Sequence, residues 1–282
     1  MSIAFPLPNS NITLPSDTFN GLCLRTPATA TIIGTGNVAH WLVFALQKAG
    51  IKIQQIYGRD FTSCQKLAET CYAEATDNLS NLESNSDIYI FCIKDDSYKE
   101  VIAEIPFQMP MAVLTSGTIP QRVLAPKAQH FGILYPCQSL SRGMDFAQVE
   151  VPLCVEGSDE LTESILLQTA MQLSDTARIV HEEERQQLHL AAVFANNFTN
   201  ALYGISSDLL KKANIDFKTL LPLIQNTLKK LETLSPKEAQ TGPAKRNDKV
   251  VINKQLSLLQ DPQHRKIYEI LTEEIMRQHL NK

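Results

Sequence analysis

The sequence predicts an α/β protein in which a doubly wound, parallel sheet is followed by an all-α C-terminal domain. Three observations carry this expectation. Short β-branched runs alternate with helix-period segments up to about residue 181. The first of these runs enters its helix through Gly34-x-Gly36-x-x-Ala39. From residue 182 onward strand signals cease, and long helix-period segments follow one another at 182–212, 217–234, 248–260 and 263–280.

The element "TATIIGTGNVAHWLVFALQKAG" reads as strand, tight turn and helix, closing at Gly50. In this context the glycine pattern is the fingerprint of a dinucleotide-binding Rossmann unit. Gly34 allows the turn, Gly36 lets the main chain approach a pyrophosphate, and Ala39 lets helix and strand pack closely. Thr35, Asn37 and Val38 complete the binding turn, with the phosphates on the helix N-terminus. The open alternative is a glycine-rich turn that binds nothing.

The second strand, "IKIQQIYGRD", ends where an NAD-preferring site would place an acid to accept from the ribose 2′-hydroxyl. Arg59 stands there, with Thr62 and Ser63 one turn later, and a guanidinium beside hydroxyls suits a 2′-phosphate. NADP is therefore expected over NAD, although Asp60 leaves open that Arg59 is a solvated loop residue. Further strands are expected at "SDIYIFCIKDD", "MAVLTSGT", "HFGILYP" and "VPLCVEG". Their carboxyl ends carry Lys94-Asp95-Asp96, Thr115-Ser116-Gly117 and Tyr135-Pro136-Cys137-Gln138, and Ser116 and Gly117 are read as bordering the cofactor.

The domain boundaries expected are an irregular lead-in over 1–27, the nucleotide-binding domain over 28–181, and a helical substrate and dimerisation domain over 182–282. In the first long helix, "QQLHLAAVFANNFTNALY" is apolar on most sides and is expected to be largely buried. At 100° per residue His189, Asn196, Asn200 and Tyr203 form one polar stripe, which must meet water, a ligand or other polar groups. Leu220, Leu221, Leu223, Ile224, Leu228 and Leu231 form a second stripe, read as core or an oligomer interface. In "SPKEAQTGPAKRNDK", Asp248 reads as a helix cap, and Arg246 as a clamp for a carboxylate or an ordinary salt-bridge partner.

A formal charge of −4 argues against a nucleic-acid binder, and a hydrophobic fraction of 44% over 282 residues supports a sizeable core. All six cysteines precede residue 155 without metal-ligand spacing, and they read as buried thiols in a reducing cytoplasm. His181, the Glu182-Glu183-Glu184 run and His189 do not make a zinc motif, so no metal is expected. The first residues show neither a signal-peptide pattern nor a membrane span.

"GTGNVAHWL", "GILYPCQSLS", "LHLAAVFANNFTNAL" and "AQTGPAKRND", in that order, resemble the Rossmann-like proteins that carry a C-terminal domain of unknown function. That group is related to pyrroline-5-carboxylate reductases, ketopantoate reductases and β-hydroxyacid dehydrogenases. The resemblance implies an NADP-type Rossmann domain, a 6-phosphogluconate-dehydrogenase-like helical domain and a homodimer. The related dehydrogenases face the nicotinamide with Lys and Asn from their long helix. Here His189 and Asn196 occupy the comparable region without a lysine. Leu114 stands where the group often has a histidine.

The reading is an NADP-dependent oxidoreductase acting on a small carbonyl, hydroxy-acid or imine compound, anionic in character. His189 serves as general acid or base, Asn196 orients the substrate, and Arg246 holds its carboxylate. The alternative is a non-catalytic sensor of NADP(H) or of a metabolite.

Overall fold

The computed structural model describes residues 25–280 and, before them, an antiparallel pairing of the two-residue strands β1 (Thr18–Phe19) and β2 (Leu22–Cys23). The expected lead-in over residues 1–27 otherwise lies outside the described residues, apart from residues 25–27. The chain divides into two compact units, one within Ile12–Asn197 and one spanning Phe198–Lys282.

The first unit holds an eight-stranded sheet in the order β10-β9-β8-β7-β6-β3-β4-β5. Its strands are β3 (Thr29–Ile33), β4 (Lys52–Tyr57), β5 (Glu74–Thr76), β6 (Ile88–Phe91), β7 (Met109–Leu114), β8 (Ala128–Pro136), β9 (Leu153–Gly157) and β10 (Ala177–Ile179). The helices of this unit are α1 (Asn37–Lys48), α2 (Phe61–Glu69), α3 (Tyr98–Glu104), α4 (Glu160–Leu173) and α5 (Glu182–Ala192). β3 is central and covered on both faces, so Ala30, Thr31, Ile32 and Ile33 are all fully buried. The one polar side chain among them, Thr31, is satisfied by the Ser86 hydroxyl at 2.7 Å.

Two apolar cores flank the sheet. One gathers Ile32, Leu42, Leu46, Leu67, Val113 and Leu166 under α1, α2 and α4. The other gathers Ile33, Phe91, Tyr98, Ile102 and Leu124, with Val180 and Leu188 at its margin. That arrangement is the doubly wound architecture expected, with two departures. β9 runs antiparallel to β8, and β10 is parallel to β9, so the far edge of the sheet is reversed. The segment joining β8 to β9 holds only the 3-10 turn Phe146–Gln148, and without a crossover helix the chain cannot return parallel. β5 is three residues of polar edge strand, too short to announce itself by alternation.

The second unit is helical throughout. A π-helical turn, Val193–Phe198, leads from α5 into α6 (Thr199–Lys212), so the helical segment expected over 182–212 is present but not uniform. The segment 217–234 is a 3-10 turn, Phe217–Leu220, followed by α7 (Leu221–Lys230), with Pro222 in the first turn of the helix where a missing N–H costs nothing. α8 (Pro236–Ala239), α9 (Lys249–Leu258) and α10 (Pro262–Leu280) complete the chain. Asp248 caps α9, its carboxylate accepting from the Val251 N–H at 3.2 Å.

Among the described residues of this unit only Ala244 and Ile252 are buried hydrophobic residues, whereas Leu223, Leu228 and Leu258 are 64%, 61% and 70% exposed. The leucine stripe of α7 is therefore not core within this chain. The burial expected around the stripe of residues 189–203 is also absent, since Leu190 and Phe194 are 52% and 63% exposed. Among the described residues no helix is long and apolar enough to cross a membrane.

Candidate cofactor and active site

The C-terminal ends of β3, β4, β6 and β7 meet at one edge of the sheet. Their ladders continue past the strands: the Gly34 N–H donates to the Tyr57 carbonyl, Cys92 N–H to Ile33, and Thr115 N–H to Phe91, at 2.7 to 3.1 Å. Gly34 has φ +121°, and a Cβ there would lie 2.2 Å from the Cys92 carbonyl oxygen, so no other residue fits. Gly36 differs, because a Cβ built on it meets nothing nearer than that same oxygen at 4.0 Å.

Gly36 is also the N-cap of α1, which has no side-chain cap and no acid in its first turn. Among the described residues no side chain caps the first amides of α1, where the helix dipole favours an anion. Gly34, Thr35, Gly36, Asn37 and Val38 fit the diphosphate of a dinucleotide on these grounds.

At the end of β4, Arg59 is exposed at the turn into α2. The Ser63 hydroxyl donates to the Asp60 carboxylate, and that bond is the main cause holding the Asp60 carboxyl below its ordinary range. Asp60 and Ser63 thus engage each other, and the Arg59 side chain is the cation beside them. At the end of β7, Ser116 is buried, and its hydroxyl accepts from the Thr118 and Ile119 N–H groups at 3.1 and 3.0 Å. The Thr118 hydroxyl in turn donates to Asp95 from the end of β6. Ser116 holds the turn in shape, leaving the main chain of Gly117 at its rim.

His189 comes from α5 onto this turn. Its Nδ1 lies 3.0 Å from the Tyr135 phenolic oxygen, and the two rings meet edge to face with centroids 5.8 Å apart. The imidazole covers Gly117 so closely that a Cβ there would lie 2.6 Å from Nδ1. Tyr135, near the end of β8, is buried, and burial pushes its phenol well above the ordinary range, with Cys137 adding to the effect.

Nothing in the sequence around Tyr135 marks it as the partner of a histidine 54 residues away. Arg185, four residues before His189 and so on the same helix face, was equally illegible. It is fully buried, donates to the Glu156 carboxylate at 3.1 Å, and reaches the Ile119 carbonyl. Burial lowers the Arg185 pKa and raises that of Glu156, and each charge opposes the shift of the other. This pair ties α5 to β9 and to the loop that follows Gly117, which fixes where His189 sits.

Asn196 is exposed within the π turn. Because that turn takes more than 3.6 residues, the 100° wheel that aligned Asn196 with His189 does not carry across it. The structure gives Asn196 no hydrogen bond to the Tyr135–His189 pair. Arg246 is exposed in the second unit, two residues before the cap of α9. Among the described residues no cluster of His, Cys, Asp and Glu could hold a metal. A further cation was missed in the sequence: Arg142, from the segment between β8 and β9, donates to the Thr35 carbonyl at 2.7 Å.

Comparison with known proteins matches both halves of the chain. Residues 29–116 match the family described as NADP oxidoreductase, coenzyme F420-dependent, and residues 151–275 match a domain of unknown function, DUF2520. No functionally curated protein matches the sequence. Among solved structures, a candidate NADP oxidoreductase of Bacteroides fragilis is 37% identical, with a TM-score of 0.84 over 89% of this chain and 98% of its own.

A reductive aminase of Aspergillus terreus, in complex with NADPH and ethyl levulinate, is 14% identical with a TM-score of 0.64 over 89% of this chain and 93% of its own. A pyrroline-5-carboxylate reductase of Coxiella burnetii is 13% identical with a TM-score of 0.55 over 91% of this chain and 98% of its own. These last two share the fold. By its two matched domains and its identity to the Bacteroides protein along nearly the whole of that chain, this chain belongs to the family of NADP oxidoreductases in which a Rossmann domain is joined to a DUF2520 domain.

Proposed function

We propose that this protein is an NADP-dependent oxidoreductase acting on a small carbonyl, hydroxy-acid or imine compound. The observation that carries the reading is the Tyr135–His189 hydrogen bond, 3.0 Å long, standing on Gly117 at the sheet edge that also holds the Gly34–Val38 turn. In this reading the turn holds the diphosphate, Arg59 holds the 2′-phosphate with Ser63 turned to Asp60 beside it, and Ser116 and Gly117 border the nicotinamide. The bound cofactor supplies the hydride.

The chain supplies a hydrogen-bond donor and the geometry. Burial keeps the Tyr135 phenol protonated, and in this reading its O–H donates to His189 Nδ1, which leaves the imidazole N–H on Nε2. That N–H is the donor we assign to the substrate's oxygen or nitrogen, with Tyr135 holding the tautomer. The buried Arg185–Glu156 pair keeps α5, and hence the imidazole, in register.

We further propose that the working form is a homodimer through the helical unit. The support is that, among its described residues, few hydrophobics are buried while Leu223, Leu228 and Leu258 are more than half exposed. Asn196 and Arg246 then serve substrate binding, Arg246 through a substrate carboxylate. We place the protein in the cytoplasm, where the free, buried thiols of Cys64, Cys71, Cys92 and Cys154 suit a reducing medium.

The test is NADPH oxidation by the purified protein against a panel of 2-keto acids, β-keto acids, cyclic imines, and ketones mixed with amines. Turnover of one class above the others supports the reading. Firm NADPH binding with no turnover of any class favours the sensor instead.

A further inference from the structure

Arg142 stands 107 residues from Thr35 in sequence, yet its Nη2 donates to the Thr35 carbonyl inside the Gly34–Gly36 turn. Its segment is anchored rather than loose. Phe146 packs on Phe44 of α1 with ring centroids 6.0 Å apart, and Phe146 and Val149 both lie against the core beneath α1. Gln138 Nε2 donates to the Glu150 carbonyl at 2.9 Å and closes the base of the segment.

Positive potential accumulates at this spot. The N-terminus of α1 carries no acid in its first turn. His40, in the same turn, has its pKa lowered by burial first and by the Arg142 charge second. Among the described residues no carboxylate is paired with Arg142. A guanidinium has five donors, and the Thr35 carbonyl takes one. A helix N-terminus and an anchored cation thus meet at one point, with no carboxylate paired to that cation among the described residues.

We propose that Arg142 is a cofactor-binding residue and that residues 138–150 form a strap across the dinucleotide turn, with the guanidinium bonded to the diphosphate that the α1 amides receive. The strap rests on the reading of the turn as the dinucleotide site. It assigns Arg142 to the diphosphate and leaves the 2′-phosphate to Arg59.

Arg142 is exposed, so Arg142→Gln and Arg142→Lys are expected to fold as the parent does, which circular dichroism checks. Titration of NADPH and of NADH into each variant is the binding test. Arg142→Gln is expected to weaken both cofactors alike, by roughly tenfold or more, and Arg142→Lys to recover part of the loss. An NMR titration of the His40 imidazole in ligand-free protein gives a second readout, which should move upward in Arg142→Gln. Unchanged affinities, a loss confined to NADPH, or an unmoved His40 would each overturn the strap. Parent protein that binds neither dinucleotide would overturn the reading of the turn itself, and the strap with it, whatever His40 does.

Discussion

Tyr135 Oη and His189 Nδ1 lie 3.0 Å apart, joining the end of a buried strand to a helix that begins 46 residues after that strand ends (182 − 136). In the proposed arrangement the phenol donates to Nδ1 and the imidazole N–H on Nε2 faces outward. His189→Ala is therefore expected to lower kcat by about 100-fold, within the range general-acid groups contribute, with the NADPH Kd unchanged. Tyr135→Phe should cost less, about tenfold, because it removes the orienting bond and not the donor. Steady-state kinetics on the substrate found by the panel checks both, and full turnover in His189→Ala would remove the histidine from the chemistry.

Gly117 offers an independent handle on the same pair. A methyl group there would stand 2.6 Å from Nδ1 and 3.0 Å from the His189 Cβ, so Gly117→Ala must push the imidazole away from Tyr135. The variant should lose about as much kcat as His189→Ala, and the double variant should be no worse than either, since one displaced group accounts for both losses. Additive losses would show that Gly117 acts on the cofactor alone.

At the ribose end Arg59 is the exposed cation, while Asp60 is held by Ser63. Arg59→Ala is expected to raise the NADPH Kd by roughly tenfold, the worth of a charge-assisted pair, and to leave NADH untouched. Fluorescence titration reads both. Equal weakening of the two cofactors would place Arg59 elsewhere.

The helical unit tests the dimer. Leu223 and Leu228 are 64% and 61% exposed. Leu223→Asp with Leu228→Asp should turn a dimer into a monomer by light scattering and lower the thermal midpoint, because the unit then keeps only its own sparse core. A parent protein that is monomeric at micromolar concentration would contradict the assembly.

Local signals were legible in the sequence and distant ones were not. The Gly34–Ala39 turn, the Asp248 cap and the helices over 182–212, 248–260 and 263–280 all follow from residues a few positions apart. The reversal of β9 depends on what the β8–β9 connection lacks, and β5 offers only three residues. The π turn breaks a wheel that assumes 3.6 residues throughout. Tyr135, Arg185 and Arg142 meet their partners across 54, 29 and 107 residues, and no periodicity encodes such meetings.

The central claim, that a diphosphate rests on the amides at the start of α1, is tested most directly at Gly36. Its φ of −77° suits any L-residue, and its Cβ direction is open to 4.0 Å, so Gly36→Val should leave the thermal midpoint within about 2 °C. The same branched side chain would fill the space in front of the helix. Calorimetric titration of NADPH into this variant should show at least a hundredfold loss of affinity. Binding as tight as in the parent protein would mean that the turn is not where the dinucleotide lies.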